Sequence, residues 1–243
     1  TFVEMVNDDM AFLVDSVSAA ILQHKMAVHI TVHPIISIRR DARGRIAEIS
    51  SPDDEEARSE SFIRLAIDRI SDSAELDTLR KEIESILIDV RLANRDWGAM
   101  RQQMRLTRDL LEYGPPDADP LLRSESQALL DWMADDHFTF LGYREYALKE
   151  SGKRRLLKPV AGTGLGVLSR DDKVEGDIEL SDEMCRITRS RDWLILTKAN
   201  SRSTVHRATF LDYVGVKIYN RKGRVVGERR FIGLLTSIAY SES

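Results

Sequence analysis

A segment rich in proline and glycine, residues 113–120, divides this chain of 243 residues into two parts of different composition. It holds three of the six prolines, and eleven of the thirteen glycines lie at Gly114 or beyond. Because proline and glycine both interrupt regular structure, the segment predicts a linker between two different folds. The length is enough for two domains of ordinary size. We therefore predict a first domain at residues 1–97, a helical linker at 98–136 with a break at 113–120, and a second domain at 137–243.

The first half alternates between strand and helix patterns. Residues 1–6 are typical of a strand, and Asn7, Asp8 and Asp9 are residue types that cap helices. The next helix and the next strand each have one apolar face, formed by Leu13, Val17, Ala20 and Ile21 in the helix and by Val28, Ile30, Val32, Ile36 and Ile38 in the strand. A short strand, another strand and a second helix complete the order. That order predicts an antiparallel sheet with helices on one face, the ferredoxin-like class of α+β folds.

An apolar seam with heptad spacing marks the second helix. Its members are Leu76, Leu79, Ile83, Ile86, Val90, Ala93 and Trp97. The interpretation that we favour is a helix that covers the preceding sheet, and the alternative is a coiled coil that forms a dimer. Asp96 and Gly98 are candidates for a break, with Asp96 as the cap of a further helix.

The second half begins with a predicted helix at 121–134, which Asp119 caps and Pro120 opens. Two strands, a glycine-containing polar region at 162–191 with short helices, a buried strand at 193–197, and a hairpin follow. The hairpin joins residues 212–219 to 224–236 through a turn at 220–223. Two strands, short helices and three strands are the element order of a PAS-like domain, a single antiparallel sheet with helices over one face.

Composition excludes several classes of protein. Thirty-six basic and 40 acidic residues leave a formal charge of −4, which argues against a general nucleic-acid binder. No apolar run approaches the roughly 20 residues of a membrane-spanning helix. Cys185 is the single cysteine, so no internal disulfide forms, and we expect a cytoplasmic location. Thr1 is not a start methionine, which suggests a piece of a longer protein.

Motifs for cofactors and metals are weak. The glycines of residues 162–166 are followed by Val167 where a dinucleotide fingerprint needs glycine, and no P-loop motif occurs. His29 and His33 share a strand face but lie roughly 13 Å apart, too far to bind one metal ion. We therefore predict no catalytic residue, no cofactor-binding residue and no metal ligand in this chain.

The candidate binding site joins the first strand to the first helix, where the residues are Asn7, Asp8, Asp9, Met10, Ala11 and Phe12. The free N–H groups of a helix start can hold a carboxylate, and Asp8 or Asp9 can accept hydrogen bonds from an ammonium group. Together these groups match the two ends of an amino acid. The alternative is simple helix capping. A separate anion contact is conceivable at Arg207, within the polar stretch 203–207.

Five stretches, residues 7–16, 135–144, 202–207, 212–217 and 227–234, resemble the N-terminal region of the large bacterial NAD-dependent glutamate dehydrogenases. The resemblance covers nearly the whole chain in order. Ala11 departs from it, because the family pattern usually has proline there.

The resemblance implies a parent enzyme that oxidatively deaminates L-glutamate to 2-oxoglutarate and ammonia with NAD, through a catalytic domain further along. It also implies an ACT-type amino-acid-sensing module followed by a PAS-like module. The expected role is a non-catalytic regulatory and assembly region. Its expected partners are its own catalytic domain, neighbours in a homo-oligomer and an amino-acid effector. The alternatives are a purely structural oligomerisation region and a stand-alone small-molecule sensor.

Overall fold

The computed structural model describes residues 1–114, 119–151, 154–170, 176–181, 185–186, 190 and 192–236. The chain forms two compact units. The first contains Thr1–Arg91 and Thr204–Ala208, and the second contains Leu92–Ser203 and Thr209–Ser243. Residues 115–118 of the predicted linker break lie outside the described residues, and the domain limits at 97 and 137 stay a prediction.

The described part of the first unit is an antiparallel sheet of five strands with two helices. Its elements are β1 (Phe2–Asp8), α1 (Leu13–Gln23), β2 (Val28–Val32), β3 (Ile35–Arg40), β4 (Ile46–Ile49), β5 (Arg58–Ile67) and the beginning of α2 (Ser73–Leu110). The strand order is β1-β5-β3-β4, and β2 also pairs with β5. The predicted α+β class with antiparallel sheets is confirmed.

Two strands stand where the sequence predicts one. β2 and β3 pair with successive parts of the same edge of β5, and Pro34 lies between them. Proline has no backbone N–H to donate to a ladder, and here its carbonyl accepts a hydrogen bond from the N–H of Phe62 at 3.0 Å. The single-strand prediction is therefore wrong at this position.

The helices cover the sheet as predicted. The apolar face of α1 is buried throughout, and so are the central members of the α2 seam, namely Leu79, Ile83, Ile86, Val90 and Ala93. The favoured interpretation of the seam is confirmed. The break at Asp96 and Gly98 is wrong, because α2 runs without interruption to Leu110. One glycine costs a helix only about 1 kcal/mol, which packing along a long helix outweighs.

The second unit contains the rest of α2 and a seven-stranded antiparallel sheet in its described part. Its further elements are α3 (Pro120–Trp132), β6 (Phe138–Ser151), β7 (Arg154–Pro159), β8 (Leu165–Gly166), β9 (Ile178–Glu179), β10 (Leu194–Arg202), β11 (Phe210–Tyr219) and β12 (Val225–Leu235). The strand order is β10-β11-β12-β6-β7-β9, with β8 on β6. Asp119 caps α3 by accepting from the N–H of Leu121 at 2.9 Å, so this predicted helix start is confirmed.

The predicted hairpin is confirmed as β11 and β12. In the predicted buried strand at 193–197, Trp193 and Ile195 are buried and Leu194 is half-buried, whereas Leu196 and Thr197 are exposed at the sheet edge, so the burial prediction is wrong for those two residues. Of the short helices predicted at 162–191, the described residues contain a 3-10 turn at Val167–Ser169 and two helical residues, Cys185 and Arg186. Residues 152–153, 171–175, 182–184, 187–189 and 191 lie outside the described residues.

The two faces of the second sheet differ in character. One face packs an aromatic and aliphatic core against α2 and α3, with Phe140, Tyr143, Trp193 and Phe231 among its buried members. The opposite face carries charged and polar side chains, namely Arg144, Tyr213, Lys217, Glu228 and Arg230. This polar face borders the cavity described below. None of the helices in the described ranges is both long and apolar enough to cross a membrane.

Candidate functional site

The predicted binding segment spans the end of β1 and the approach to α1. β1 stays paired with β5 as far as Asp8, which faces Glu60, so the helix begins later than the sequence suggests. The residue before the helix is Phe12, whose φ of 73° is left-handed, and its side chain makes no capping hydrogen bond. Capping by Asn7, Asp8 or Asp9 is therefore wrong, because the ladder keeps those residues away from the first turn.

Two of the three polar side chains bind other parts of the first unit. Asn7 Oδ1 accepts a hydrogen bond from Arg91 Nη2 at 3.0 Å. Asp9 Oδ1 accepts from the hydroxyl of Ser61 at 2.5 Å, and the N–H of Asp9 donates to the carbonyl of Ser59 at 2.9 Å. These contacts fix the backbone on both sides of Asp8.

Asp8 and Asp9 are both exposed, but the Asp8 carboxylate, unlike that of Asp9, makes no hydrogen bond with the described residues. Its neighbour across the ladder, Glu60, is buried and bound through both carboxylate oxygens by Arg40, at 2.7 and 2.6 Å. The hydrogen bonds from Arg40 hold the pKa of Glu60 below its ordinary value, although burial opposes the shift. Arg40 thus compensates the charge of Glu60, and the nearby charge of the exposed Asp8 also helps to raise the pKa of Arg40.

The first turn of α1 is covered by Thr204–Ala208. The N–H of His206 donates to Ser16 Oγ at 2.8 Å, and His206 Nδ1 lies 3.1 Å from a carboxylate oxygen of Asp15. The ring centroids of His206 and Phe12 are 4.8 Å apart. The start of α1 therefore contacts a segment that lies about 190 residues later in the chain.

Sequence reasoning missed this contact. Residues 203–207 suggested only an anion contact at Arg207, whereas the structure gives His206 a left-handed φ of 67° within this contact. Val205 is buried and Thr204 Oγ1 donates to Asp89 Oδ2 at 2.7 Å. The dense run of polar residues was the available signal, but it does not identify a partner so far away.

The histidines that share a strand face bond to separate partners. His29 Nε2 lies 2.8 Å from Asp68 Oδ1, and His33 Nε2 lies 2.9 Å from Ser61 Oγ. Within the described ranges, no three metal-binding side chains come together.

Comparison with known proteins accounts for the architecture. Residues 1–83 match the family model described as "Glutamate dehydrogenase, ACT1 domain". The NAD-specific glutamate dehydrogenases of Halomonas elongata and Pseudomonas aeruginosa are each 33% identical to this chain, over 251 and 247 residues. This chain matches the N-terminal region of the NAD-specific glutamate dehydrogenases. The recognition made from the sequence motifs is confirmed, and so is the ACT-like fold of the first unit.

The alignment covers 100% of this chain but only 15% of each relative. The relatives are much longer oxidoreductases, of which this chain represents a small part. The ACT1 match ends at residue 83, so it includes the whole binding segment and stops within α2.

Proposed function

We propose that this chain is a non-catalytic regulatory region of an NAD-dependent glutamate dehydrogenase, and that an amino-acid effector binds beside Asp8 and the start of α1. The parent would convert L-glutamate and NAD to 2-oxoglutarate, ammonia and NADH, with NAD bound outside this chain. The ACT1 match of the first unit supports a sensing role. The strand order of the second unit supports a PAS-like module. A cytoplasmic location belongs to the same proposal.

The observation that carries the proposal is the contact of Thr204–Ala208 with the first turn of α1. The chain passes directly from β10 into this segment and from the segment into β11. A ligand that touches Phe12 or the first turn changes the free energy of that contact. An effector acts through such a difference in affinity between two states.

The chemistry of the segment suits an amino acid. The exposed carboxylate of Asp8 accepts hydrogen bonds from an ammonium group. The positive end of the helix dipole at the first turn of α1 favours a carboxylate. Asn7 and Asp9 serve to hold the segment, since their side-chain oxygens already accept hydrogen bonds from the protein.

Isothermal titration calorimetry of the whole chain with the twenty amino acids tests the proposal. We expect at least one to bind, and Asp8→Asn to weaken that affinity about tenfold by removing the charge. Asp53→Asn, at another exposed acid of the same unit, is the matched control and should leave it unchanged. Binding of none of the twenty, or equal affinity for Asp8→Asn and the wild type, would remove the sensing role.

A second candidate function is assembly of an oligomer through the open face of the first sheet. Phe2, Val6, Ile30 and Val32 are exposed there on neighbouring strands. The central part of the α2 seam is not available for this interface, because Leu79, Ile83, Ile86, Val90 and Ala93 are buried within the chain.

Analytical ultracentrifugation of Val32→Asp distinguishes this second candidate. The variant should dissociate an oligomer built on the sheet face, whereas Leu22→Asp, at an exposed position of α1, should not. A wild-type chain that sediments as a monomer contradicts it.

A further inference from the structure

The polar face of the second sheet borders a cavity of about 810 Å³. This volume lies within the range of roughly 300–1,000 Å³ typical of small-molecule sites. Its wall combines basic side chains with aromatic and aliphatic ones. The basic residues are Arg144, Lys198, Arg202 and Arg230.

Arg144 is a buried cation without a partner in the described part of the chain. The residue is 8% exposed, and its guanidinium makes no hydrogen bond or ion pair with the described residues. Its Nε atom is fully buried and unsatisfied. The other buried side-chain atoms of this kind in the described ranges belong to neutral groups, three hydroxyls of Ser or Thr and one indole N–H. Burying a charged group without a partner costs more free energy than burying a neutral hydroxyl or indole N–H without one.

The neighbouring cations do have counter-charges. Arg230 faces Arg144 directly across the ladder, and its Nε donates to Glu228 Oε1 at 3.1 Å. Lys198 Nζ lies 2.5 Å from Asp212 Oδ1. Like charges directly opposite each other in a ladder repel, so the pair of arginines raises the positive potential at Arg144.

The guanidinium of Arg144 packs closely beside Gly164. A Cβ atom on Gly164 would lie 2.6 Å from Arg144 Nη2 and 2.9 Å from its Nε. Glycine at this position therefore leaves the space that the guanidinium occupies. The guanidinium of Arg230 lies 4.0 Å from the ring centroid of Tyr146, which holds the second arginine in place. Both cations are thus positioned before any ligand arrives.

We propose that this cavity binds a small organic anion, whose carboxylate or phosphate group pairs with the guanidinium of Arg144. A guanidinium binds either group through two parallel hydrogen bonds. The aliphatic side chains of Leu168, Leu211 and Ile232 receive the apolar part of the ligand. This site belongs to the second unit and does not depend on the amino-acid site proposed for the first.

Calorimetric titration of the whole chain in a buffer free of phosphate and carboxylates tests the site. The probes are 2-oxoglutarate, succinate and inorganic phosphate, which distinguish a carboxylate site from a phosphate site. We expect the wild type to bind at least one of them and Arg144→Met to lose about tenfold or more in affinity. Arg229→Met is the matched control, because Arg229 is similarly buried on the same strand as Arg230 but pairs with Glu145 on the opposite face. It should keep the wild-type affinity.

Thermal unfolding without ligand provides a second readout. If Arg144 awaits a ligand, Arg144→Met removes an uncompensated charge and should unfold at the wild-type temperature or higher. Arg229→Met leaves the carboxylate of Glu145 without a counter-charge and should unfold at a lower temperature. Three results would overturn the proposal: no probe binds the wild type at up to about 10 mM, Arg144→Met binds as tightly as the wild type, or Arg144→Met is destabilised as much as Arg229→Met.

Discussion

Replacement of Ser16 by alanine tests whether hydrogen bonds hold Thr204–Ala208 on α1. The buried hydroxyl of Ser16 donates to the carbonyl of Phe12 at 2.5 Å and accepts from the N–H of His206 at 2.8 Å. It is thus a polar link between the start of the helix and the segment, beside the contact of His206 Nδ1 with Asp15. Removing it should release the segment without disturbing the sheet.

The expected magnitude follows from these two contacts. Loss of the acceptor leaves the partly buried N–H of His206 unpaired, which costs about 1–3 kcal/mol. The Phe12 carbonyl keeps the N–H of Ser16 as its donor at 3.1 Å, so that loss adds little. Alanine is a better helix former than serine by about 0.5 kcal/mol, which offsets part of the cost. The net loss of about 0.5–2.5 kcal/mol makes the released segment about 2 to 70 times more populated.

Hydrogen exchange of the His206 amide measures that population. We expect exchange in Ser16→Ala to be faster by the same factor, with little change for amides in the centre of β5. Ser18→Ala is the control, because the Ser18 hydroxyl makes no hydrogen bond with the described residues and lies on the same helix. Unchanged protection of His206 in Ser16→Ala would refute the reasoning, because the hydroxyl would then contribute nothing to the contact.

Three further substitutions test the packing. Asp96→Asn should lower the free energy of unfolding by about 1–2 kcal/mol, because a neutral amide accepts more weakly than the carboxylate from the buried N–H of Gly166 at 2.8 Å and loses the ion pair with Arg95. Hydrogen bonds from Arg95 lower the pKa of Asp96, although burial opposes the shift. The difference in free energy of unfolding between the wild type and the variant, measured by urea titration, should therefore be complete above about pH 4. It should vanish as the pH falls through the lowered pKa of Asp96. Gly166→Ala should lower the melting temperature, since φ is 58° and the new Cβ would lie 2.2 Å from the carbonyl oxygen of Leu141. Val90→Ala should cost about 2–3 kcal/mol in chemical denaturation without changing the sedimentation coefficient, because the seam is internal to the chain.

Local patterns predicted most of the helices and strands. The apolar face of α1, the seam of α2, the Asp119 cap and the β11–β12 hairpin follow from spacing and from residue types that act over a few positions. The errors lie where a distant partner decides. Asp96 has the residue type of a helix cap, but its carboxylate accepts a hydrogen bond from the N–H of Gly166, 70 residues away.

The candidate binding segment was found by sequence, but its internal roles were not. The sequence pattern does not distinguish Asn7, Asp8 and Asp9, because each is a candidate helix cap and a candidate contact for an amino-acid effector. The ladder of β1 with β5 separates them, since Asn7 and Asp9 bind the protein and Asp8 faces solvent. Register is a property of two strands, so it cannot be read from one of them.

The sequence by itself determined the class of fold and the motifs shared with NAD-specific glutamate dehydrogenases. These depend on periodicity and on residue types within short stretches. Only the tertiary structure decided that Thr204–Ala208 covers the start of α1 and that the buried Arg144 faces Arg230 beside a cavity. The physical reason is that burial and charge compensation depend on which residues from distant parts of the chain come into contact. The secondary-structure propensity of a short stretch carries almost no information about those contacts.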